Sequence, residues 1–108
     1  MKSPIWTIYC HTHVLSGRKY IGLTIKSWQR RWRSHINASK DKMRNGHFSN
    51  AIRKYGKDAF EHKVLETCIY LEVANIAEQC WIEFYDTTNP EKGFNIAKGG
   101  NHKYNPNA

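Results

Sequence analysis

The sequence has few acidic residues and no long apolar run. Its 108 residues contain 9 Asp and Glu against 17 Lys and Arg, which gives a formal net charge of +8. A chain this basic favours polyanionic partners, nucleic acid above all, although a basic protein that is merely soluble can have the same composition. No apolar stretch approaches the roughly 20 residues that span a bilayer, so we expect no membrane partner.

Cysteine is also scarce, and its three copies form no recognisable framework. Cys10, Cys68 and Cys80 follow no paired spacing, so we expect reduced thiols in the cytoplasm. The N-terminus MKSPIWTIYC lacks the apolar stretch of a secretory signal, which favours the same compartment. A zinc site built from Cys10, His11, His13 and a distant cysteine is conceivable, but neither C-x-x-C nor H-x-x-x-H spacing supports it.

Aromatic and β-branched residues are abundant and are arranged in short segments. Four Trp, six Tyr and four Phe are enough to fill the one modest core that 108 residues can build. Residues 5–14 and 18–22 flank a Ser-Gly turn and predict a β-hairpin, and residues 60–68 predict a third strand. Apolar periodicity predicts helices over residues 25–37, 47–55 and 70–85, with a polar loop at 39–46.

The order β-β-α-α-β-α predicts an α+β fold, a small single-domain sandwich in which helices flank a three-stranded antiparallel sheet. We assign residues 1–98 to this domain. Residues 99–108, GGNHKYNPNA, are polar and rich in turn formers, so we expect a tail or linker stub that does not pack.

One carboxylate occupies an unexpected position in the last predicted helix. At 100° per residue, Glu78 lies in the middle of the apolar stripe that should face the core, while Glu72 and Glu83 point toward solvent. A carboxylate there is costly unless it is paired, protonated or bound to a metal. A structural ion pair with a buried arginine and a role as metal ligand or acid–base group both fit this pattern.

The same projection separates neighbouring arginines in the stretch YIGLTIKSWQRRWRSH. Arg30 points away from the apolar stripe of its helix and should face solvent or phosphate. Arg31 and His35 are four residues apart and share one shoulder of the stripe, from which they can reach inward. An inward arginine and an inward glutamate on separate helices would form an anionic-substrate site with a metal between them.

The first strand should contribute aromatic side chains to the same region. Tyr9, His11 and His13 alternate onto one face, with Ile8 and Cys10 on the other. Tyr20 on the paired strand can lie near Tyr9. Adjacent strand tyrosines are usually packing residues, so this pattern alone does not indicate chemistry.

Five sequence blocks, taken in order, resemble one enzyme family. They are IY at 8–9 with YIG at 20–22, RWRSH at 31–35, HFSNAIRKYG at 47–56, EQCWI at 78–82 and GFNIA at 93–97. Together they resemble the GIY-YIG endonucleases, in particular the catalytic domains of phage-type homing endonucleases. Thr7 stands where the first motif normally opens with glycine.

This resemblance implies the GIY-YIG nuclease fold and a metal-dependent endonuclease that hydrolyses DNA phosphodiester bonds. It implies one Mg²⁺ per site, with Mn²⁺ as a substitute, bound by Glu78. Tyr9 is the base consistent with the family, its pKa lowered by the metal and Arg31 and its proton passed toward His35; Tyr20 and His35 are the alternatives. The residues that match the family's catalytic positions are Tyr9, Tyr20, Arg31, His35, Glu78 and Asn95, and His47 matches a further histidine.

The implied partner is double-stranded DNA, with no small-molecule cofactor, in the cytoplasm of a bacterium or a phage-infected host cell. We expect a monomer or a weak dimer. A restriction or repair nuclease of the same fold is the main alternative, and a non-catalytic basic nucleic-acid-binding module is a weaker one. The residues expected to bind DNA are Lys26, Arg30, Arg33, His47, Arg53 and Lys54.

Overall fold

The computed structural model describes residues 4–103 and contains one antiparallel sheet of three strands. The strands are β1 (Trp6–His13), β2 (Lys19–Thr24) and β3 (Phe60–Cys68), in the order β2-β1-β3. β1 is therefore central and β2 is an edge strand. A β-bulge interrupts the pairing of β1 with β3, where Ile8 lies opposite Glu66 and Tyr9 lies opposite Val64.

Three helices complete the predicted α+β sandwich. They are α1 (Trp28–Ser39), α2 (His47–Tyr55) and α3 (Leu71–Tyr85), with a short 3₁₀ helix at Lys57–Ala59. The predicted bounds of α2 and β3 are confirmed. Among residues 4–103, no helix is long and apolar enough to cross a membrane.

Several element boundaries differ from the prediction by one to three residues, and two of these differences have a clear local cause. α1 begins three residues late because Ser27 is its N-cap, with the Ser27 hydroxyl accepting from the Arg30 amide. β2 continues two residues further, to Thr24, because Leu23 and Thr24 are buried and pair with Ile8 and Thr7 of β1.

Each face of the sheet has its own hydrophobic core. Ile8 and Cys10 face α3, where they pack with Ala74 and Ile82. On the other face, α1 and α2 enclose a second core that contains Trp32, Phe48, Ile52, Phe60 and Phe94. The side chains of Cys10 and His11 therefore lie on opposite faces, which excludes the zinc site that combined them.

The expectation that the polar tail does not pack is wrong for residues 99–102, which lie against α3. The Gly100 amide donates to Glu78 Oε1 at 2.9 Å, and the His102 amide donates to Asn75 Oδ1 at 3.0 Å. Gly99 and Gly100 both have positive φ, and a Cβ on Gly99 would lie 2.8 Å from Glu78 Oε1. Glycine therefore lets this backbone approach α3 closely. Residues 104–108 of the predicted tail lie outside the described residues.

Candidate active site

The glycine of YIG makes room for the tyrosine of the neighbouring strand. Tyr9 on β1 lies opposite Gly22 on β2, and its buried ring crosses that position. A Cβ on Gly22 would overlap the Tyr9 hydroxyl. Glycine at this position therefore lets the Tyr9 ring extend across the edge strand toward α1.

The Tyr9 hydroxyl meets two side chains of α1. It lies 3.1 Å from His35 Nε2, and it is close enough to the Arg31 guanidinium for the positive charge to act on its pKa. Tyr20 completes the group: its ring contacts His35 edge-on at 5.0 Å and stacks on Phe48 at 4.3 Å. Four of the residues selected from the sequence therefore form one cluster.

The helical phase predicted for α1 is confirmed by the exposure of its arginines. Arg31 is partly buried and reaches Tyr9, whereas Arg30 and Arg33 are exposed. Trp32 is buried against Phe48 and Phe60, so it fixes the rotation of the helix.

Glu78 is partly buried on α3, in the predicted apolar stripe that includes Ala74 and Ile82. Its Oε1 accepts the hydrogen bond from the Gly100 amide. Within residues 4–103, no Lys, Arg or His nitrogen lies within 4.0 Å of its carboxylate oxygens. The structural ion pair considered above is therefore absent from the described part of the chain.

Two adjoining grooves bring these residues to one surface. The first, which we call the Glu78 groove, has a volume of about 390 Å³ and is lined by Tyr20, His35, His47, Glu78 and Asn95, among others. The second, the Arg31 groove, has a volume of about 630 Å³ and is lined by Arg31, His35, Arg44 and Ser49. His35 and Ser49 line both grooves, so Arg31 and Glu78 approach a common region from different sides.

Asn95 holds the edge strand rather than projecting a free amide. Its Oδ1 accepts from the Ile21 amide at 2.9 Å, and its Nδ2 donates to the Ile21 carbonyl at 2.8 Å. Ile21 neighbours Tyr20, so Asn95 fixes the part of β2 that presents Tyr20 to the site. A direct catalytic role for Asn95 stays a prediction.

Some of the residues expected to bind DNA have exposed side chains, and others already contact groups of the protein. Lys26, Arg30 and Arg33 are exposed, and His47 is exposed at the Glu78 groove. The guanidinium of Arg53 instead donates to the backbone carbonyls of Ser39, Asp41 and Arg44 and to the Asn50 side chain. It braces the loop between α1 and α2, a use that the sequence did not predict. Lys54 extends over the Tyr55 ring, with Nζ 5.1 Å from the centroid.

Comparison with known proteins agrees with this geometry. A family model described as the GIY-YIG catalytic domain matches residues 5–93. The chain belongs to the GIY-YIG family. Two similar solved structures are titled as the catalytic domain of the intron endonuclease I-TevI, in a mutant form, and the catalytic domain of the homing endonuclease I-TevI.

Both structures share the fold at 23% sequence identity. The mutant form has a TM-score of 0.74, with 87% of this chain and 96% of the other covered. The second has a TM-score of 0.68, with 85% and 98% covered. No curated protein matches the chain significantly. Membership of the GIY-YIG family supports an endonuclease activity.

Burial controls the protonation of the groups in this GIY-YIG site. It raises the pKa of Tyr9, and the nearby Tyr20 and Glu78 act in the same direction, while Arg31 opposes them. The lowered Tyr9 pKa implied by the resemblance depends on a bound metal as well as on Arg31, so it stays a prediction. Burial, aided by the charge of Arg31, lowers the pKa of His35 to about 4, so this imidazole is neutral near pH 7.

The GIY-YIG domain also contains a pair of histidines, the buried His11 and the partly buried His62, that the sequence did not indicate. His11 Nδ1 lies 2.8 Å from His62 Nδ1, and the His11 ring packs 4.8 Å from Tyr9. Burial and the neighbouring His62 lower the pKa of His11 to about 3. Alternation along β1 placed His11 on the face of Tyr9, but nothing local in the sequence identified its partner on β3.

Proposed function

We propose that this GIY-YIG domain is a homing-type or phage-type endonuclease that hydrolyses phosphodiester bonds of double-stranded DNA with one divalent cation. Family membership supports the endonuclease class. The observation that most strongly supports catalysis is the convergence of Tyr9, Arg31 and His35 with Glu78 around two adjoining grooves. The homing type is proposed by analogy with the titles of the similar structures.

The chemistry of Glu78 fits a hard cation such as Mg²⁺. Its carboxylate is a hard oxygen ligand at a solvent-filled groove, and within residues 4–103 only Oε1 has a hydrogen-bond partner. Mg²⁺ is commonly bound by one or two carboxylates, with water and substrate phosphate completing its coordination. Among residues 4–103, Glu78 is the only carboxylate that lines the Glu78 groove, so we propose one ion per site. When bound, the ion would polarise the phosphate and lower the pKa of a bound water.

Arg31 is proposed to bind the phosphate that is cut. Its guanidinium is cationic at all relevant pH values, and its planar donors match phosphate oxygens. Negative charge accumulates on those oxygens as the bond breaks, so a fixed cation stabilises the transition state more than the ground state. Arg31 lines the Arg31 groove together with His35, so its guanidinium is available for this contact.

Tyr9 and His35 are proposed to move the proton of the attacking water. Because the pKa of Tyr9 is raised, a standing phenolate does not form at neutral pH. The neutral His35 can accept the Tyr9 proton through Nε2 while Tyr9 takes one from water. The resulting hydroxide attacks phosphorus, the bond between phosphorus and the 3′ oxygen breaks, and the departing 3′ oxygen takes a proton from solvent. The 3.1 Å contact between Tyr9 and His35 supports this relay.

A non-catalytic binding module would share the basic charge and the aromatic residues. It would have no use for a partly buried carboxylate that has no ion-pair partner within residues 4–103. A restriction or repair nuclease would share the whole site, because such enzymes would differ in target choice rather than in phosphodiester chemistry.

Cleavage of plasmid DNA tests the proposal directly. Supercoiled plasmid should be nicked or linearised with Mg²⁺ or Mn²⁺ and left intact with EDTA. Glu78→Gln should abolish cleavage, while Glu72→Gln, on the exposed side of α3, is the matched control and should cut normally. A parent protein that binds DNA but never cuts it, with either metal, would favour the binding module.

A further inference from the structure

A third groove adjoins the Glu78 groove and has no part in the chemistry proposed above. Its volume is about 330 Å³, and His47 and Phe94 line both grooves. The remaining lining residues include Arg18 from the β-hairpin and Lys54 and Tyr55 from the end of α2. We call it the Arg18 groove.

In the part of the chain that the structure describes, two cationic side chains and no carboxylate line the Arg18 groove. Within residues 4–103, neither Arg18 nor Lys54 has a carboxylate within 4.0 Å. The groove beside α3 differs, because Glu83 and Asp86 line it together with Lys98. Unpaired cations facing a shared cavity favour an anionic ligand.

Two of the other polar groups here are already engaged. Asn50 donates to the Asn45 carbonyl and accepts from Arg53, so it is not free to bind a ligand. Tyr55 stacks on His13 at 4.1 Å and lies under the Lys54 ammonium, which it helps to hold in place. Arg18 and Lys54 are therefore the groups that would contact an anion.

The three grooves adjoin one another in series. His35 and Ser49 join the Arg31 groove to the Glu78 groove, and His47 and Phe94 join the Glu78 groove to the Arg18 groove. A DNA strand that crosses the Glu78 groove would continue into the neighbouring one, and its next anionic groups are backbone phosphates.

We propose that Arg18 and Lys54 form a subsite for a backbone phosphate of the cut strand, to one side of the scissile phosphate. The proposal rests on the nuclease function argued above. The ligand is a DNA phosphodiester, recognised by charge, so the subsite positions the strand and does not read its sequence. Arg18 and Lys54 act on binding and take no part in the chemical step.

The test combines protein variants with neutralised phosphates. The cleavage site is first mapped with the parent protein, and short duplexes are then made with a neutral methylphosphonate at each position of the cut strand in turn. Binding is measured without metal, and single-turnover cleavage is measured with Mg²⁺. The variants are Arg18→Ala, Lys54→Ala and, as matched control, Lys63→Ala, an exposed residue of β3 that lines none of the three grooves.

We expect one flanking methylphosphonate to weaken binding by the parent several-fold, and Arg18→Ala to be insensitive to that same substitution. Each variant that loses a phosphate contact should also reduce the log–log salt slope by about 0.9, with the saturating cleavage rate unchanged. Lys63→Ala should match the parent in every assay.

Two outcomes would overturn the subsite, and they differ from failure of the nuclease proposal. If the parent cuts DNA but both variants keep its salt slope and its methylphosphonate profile, the Arg18 groove binds no phosphate. If Arg18→Ala and Lys54→Ala reduce the saturating rate without weakening binding, their role lies elsewhere. Absence of cleavage by the parent would instead contradict the nuclease function itself.

Discussion

Replacing Glu78 with glutamine separates two roles that predict opposite effects on stability. If the carboxylate formed an ion pair with a buried arginine, its removal would leave the arginine charge unpaired. The free energy of unfolding would then decrease by about 3–5 kcal/mol. The structure has no such partner within residues 4–103. The contact that must survive is the hydrogen bond from the Gly100 amide, and a glutamine side-chain oxygen can accept it in the same geometry.

The expected change in the free energy of unfolding follows from these contacts. A hydrogen bond to a charged acceptor is worth about 1 kcal/mol more than one to a neutral acceptor, so Glu78→Gln loses roughly that amount. Removing a partly buried charge that has no counter-ion works in the opposite direction. The two effects nearly cancel, so we expect a net change within about 1 kcal/mol of zero.

Thermal unfolding of metal-free protein distinguishes a structural ion-pair role of Glu78 from a role as metal ligand. For a domain of this size, 1 kcal/mol shifts the Tm by roughly 4–8 °C, so a stranded charge would lower it by at least roughly 12 °C. Glu78→Gln should stay close to the parent and to Glu72→Gln, bind DNA without metal and fail to cut it. A drop in Tm of about 12 °C or more would show that Glu78 takes part in an ion pair. Cleavage by Glu78→Gln near the parental rate would remove Glu78 from the mechanism.

Three further predictions concern the other side of the site. Gly22→Ala should displace the neighbouring strand tyrosine and cost on the order of 10²-fold in single-turnover cleavage, whereas Gly46→Ala, where an added Cβ meets no atom within 4 Å, should have little effect. Arg31→Ala should lower the cleavage rate by a similar factor and Arg30→Ala should mainly weaken binding; equal rate losses would mean that the assigned helical phase is wrong. The pKa of His35 falls from 6.5 to about 4 on folding. As the pH is lowered, the unfolded chain therefore binds a proton at His35 before the folded chain does. The free energy of unfolding should consequently decrease as the pH falls from about 6.5 to 4. Urea unfolding across this range should show a flatter profile for His35→Asn, and an unchanged profile would contradict the lowered pKa.

The features predicted correctly from the sequence depend on local periodicity. Alternation along β1 placed Tyr9 and His11 on one face, and the 100° step placed Arg31 inward and Glu78 among apolar neighbours. Each of these inferences uses residues within a few positions of one another. The repeating geometry of strands and helices makes such relations predictable without knowledge of the fold.

The features that were missed depend on partners that are distant in the sequence. His11 pairs with His62, 51 positions away, and Asn95 binds Ile21, 74 positions away. The polarity of the residues from Gly99 onward suggested that they would not pack. In the structure, two glycines bring this backbone against α3, and the sequence does not reveal this contact. Arg53 was expected to bind DNA, but its guanidinium instead donates hydrogen bonds to loop carbonyls. No local sequence pattern indicates these contacts.

The candidate site joins two halves of the fold that pack on opposite faces of the sheet. Tyr20 belongs to the core under α1 and α2, whereas the next residue, Ile21, belongs to the core under α3, which positions Glu78. The edge strand β2 therefore determines how the tyrosine and arginine half meets the carboxylate half. Asn95 binds both backbone polar groups of Ile21 at this junction, and these groups would otherwise be buried without partners. Asn95 therefore fixes the backbone of β2 at the point where the two halves of the site meet.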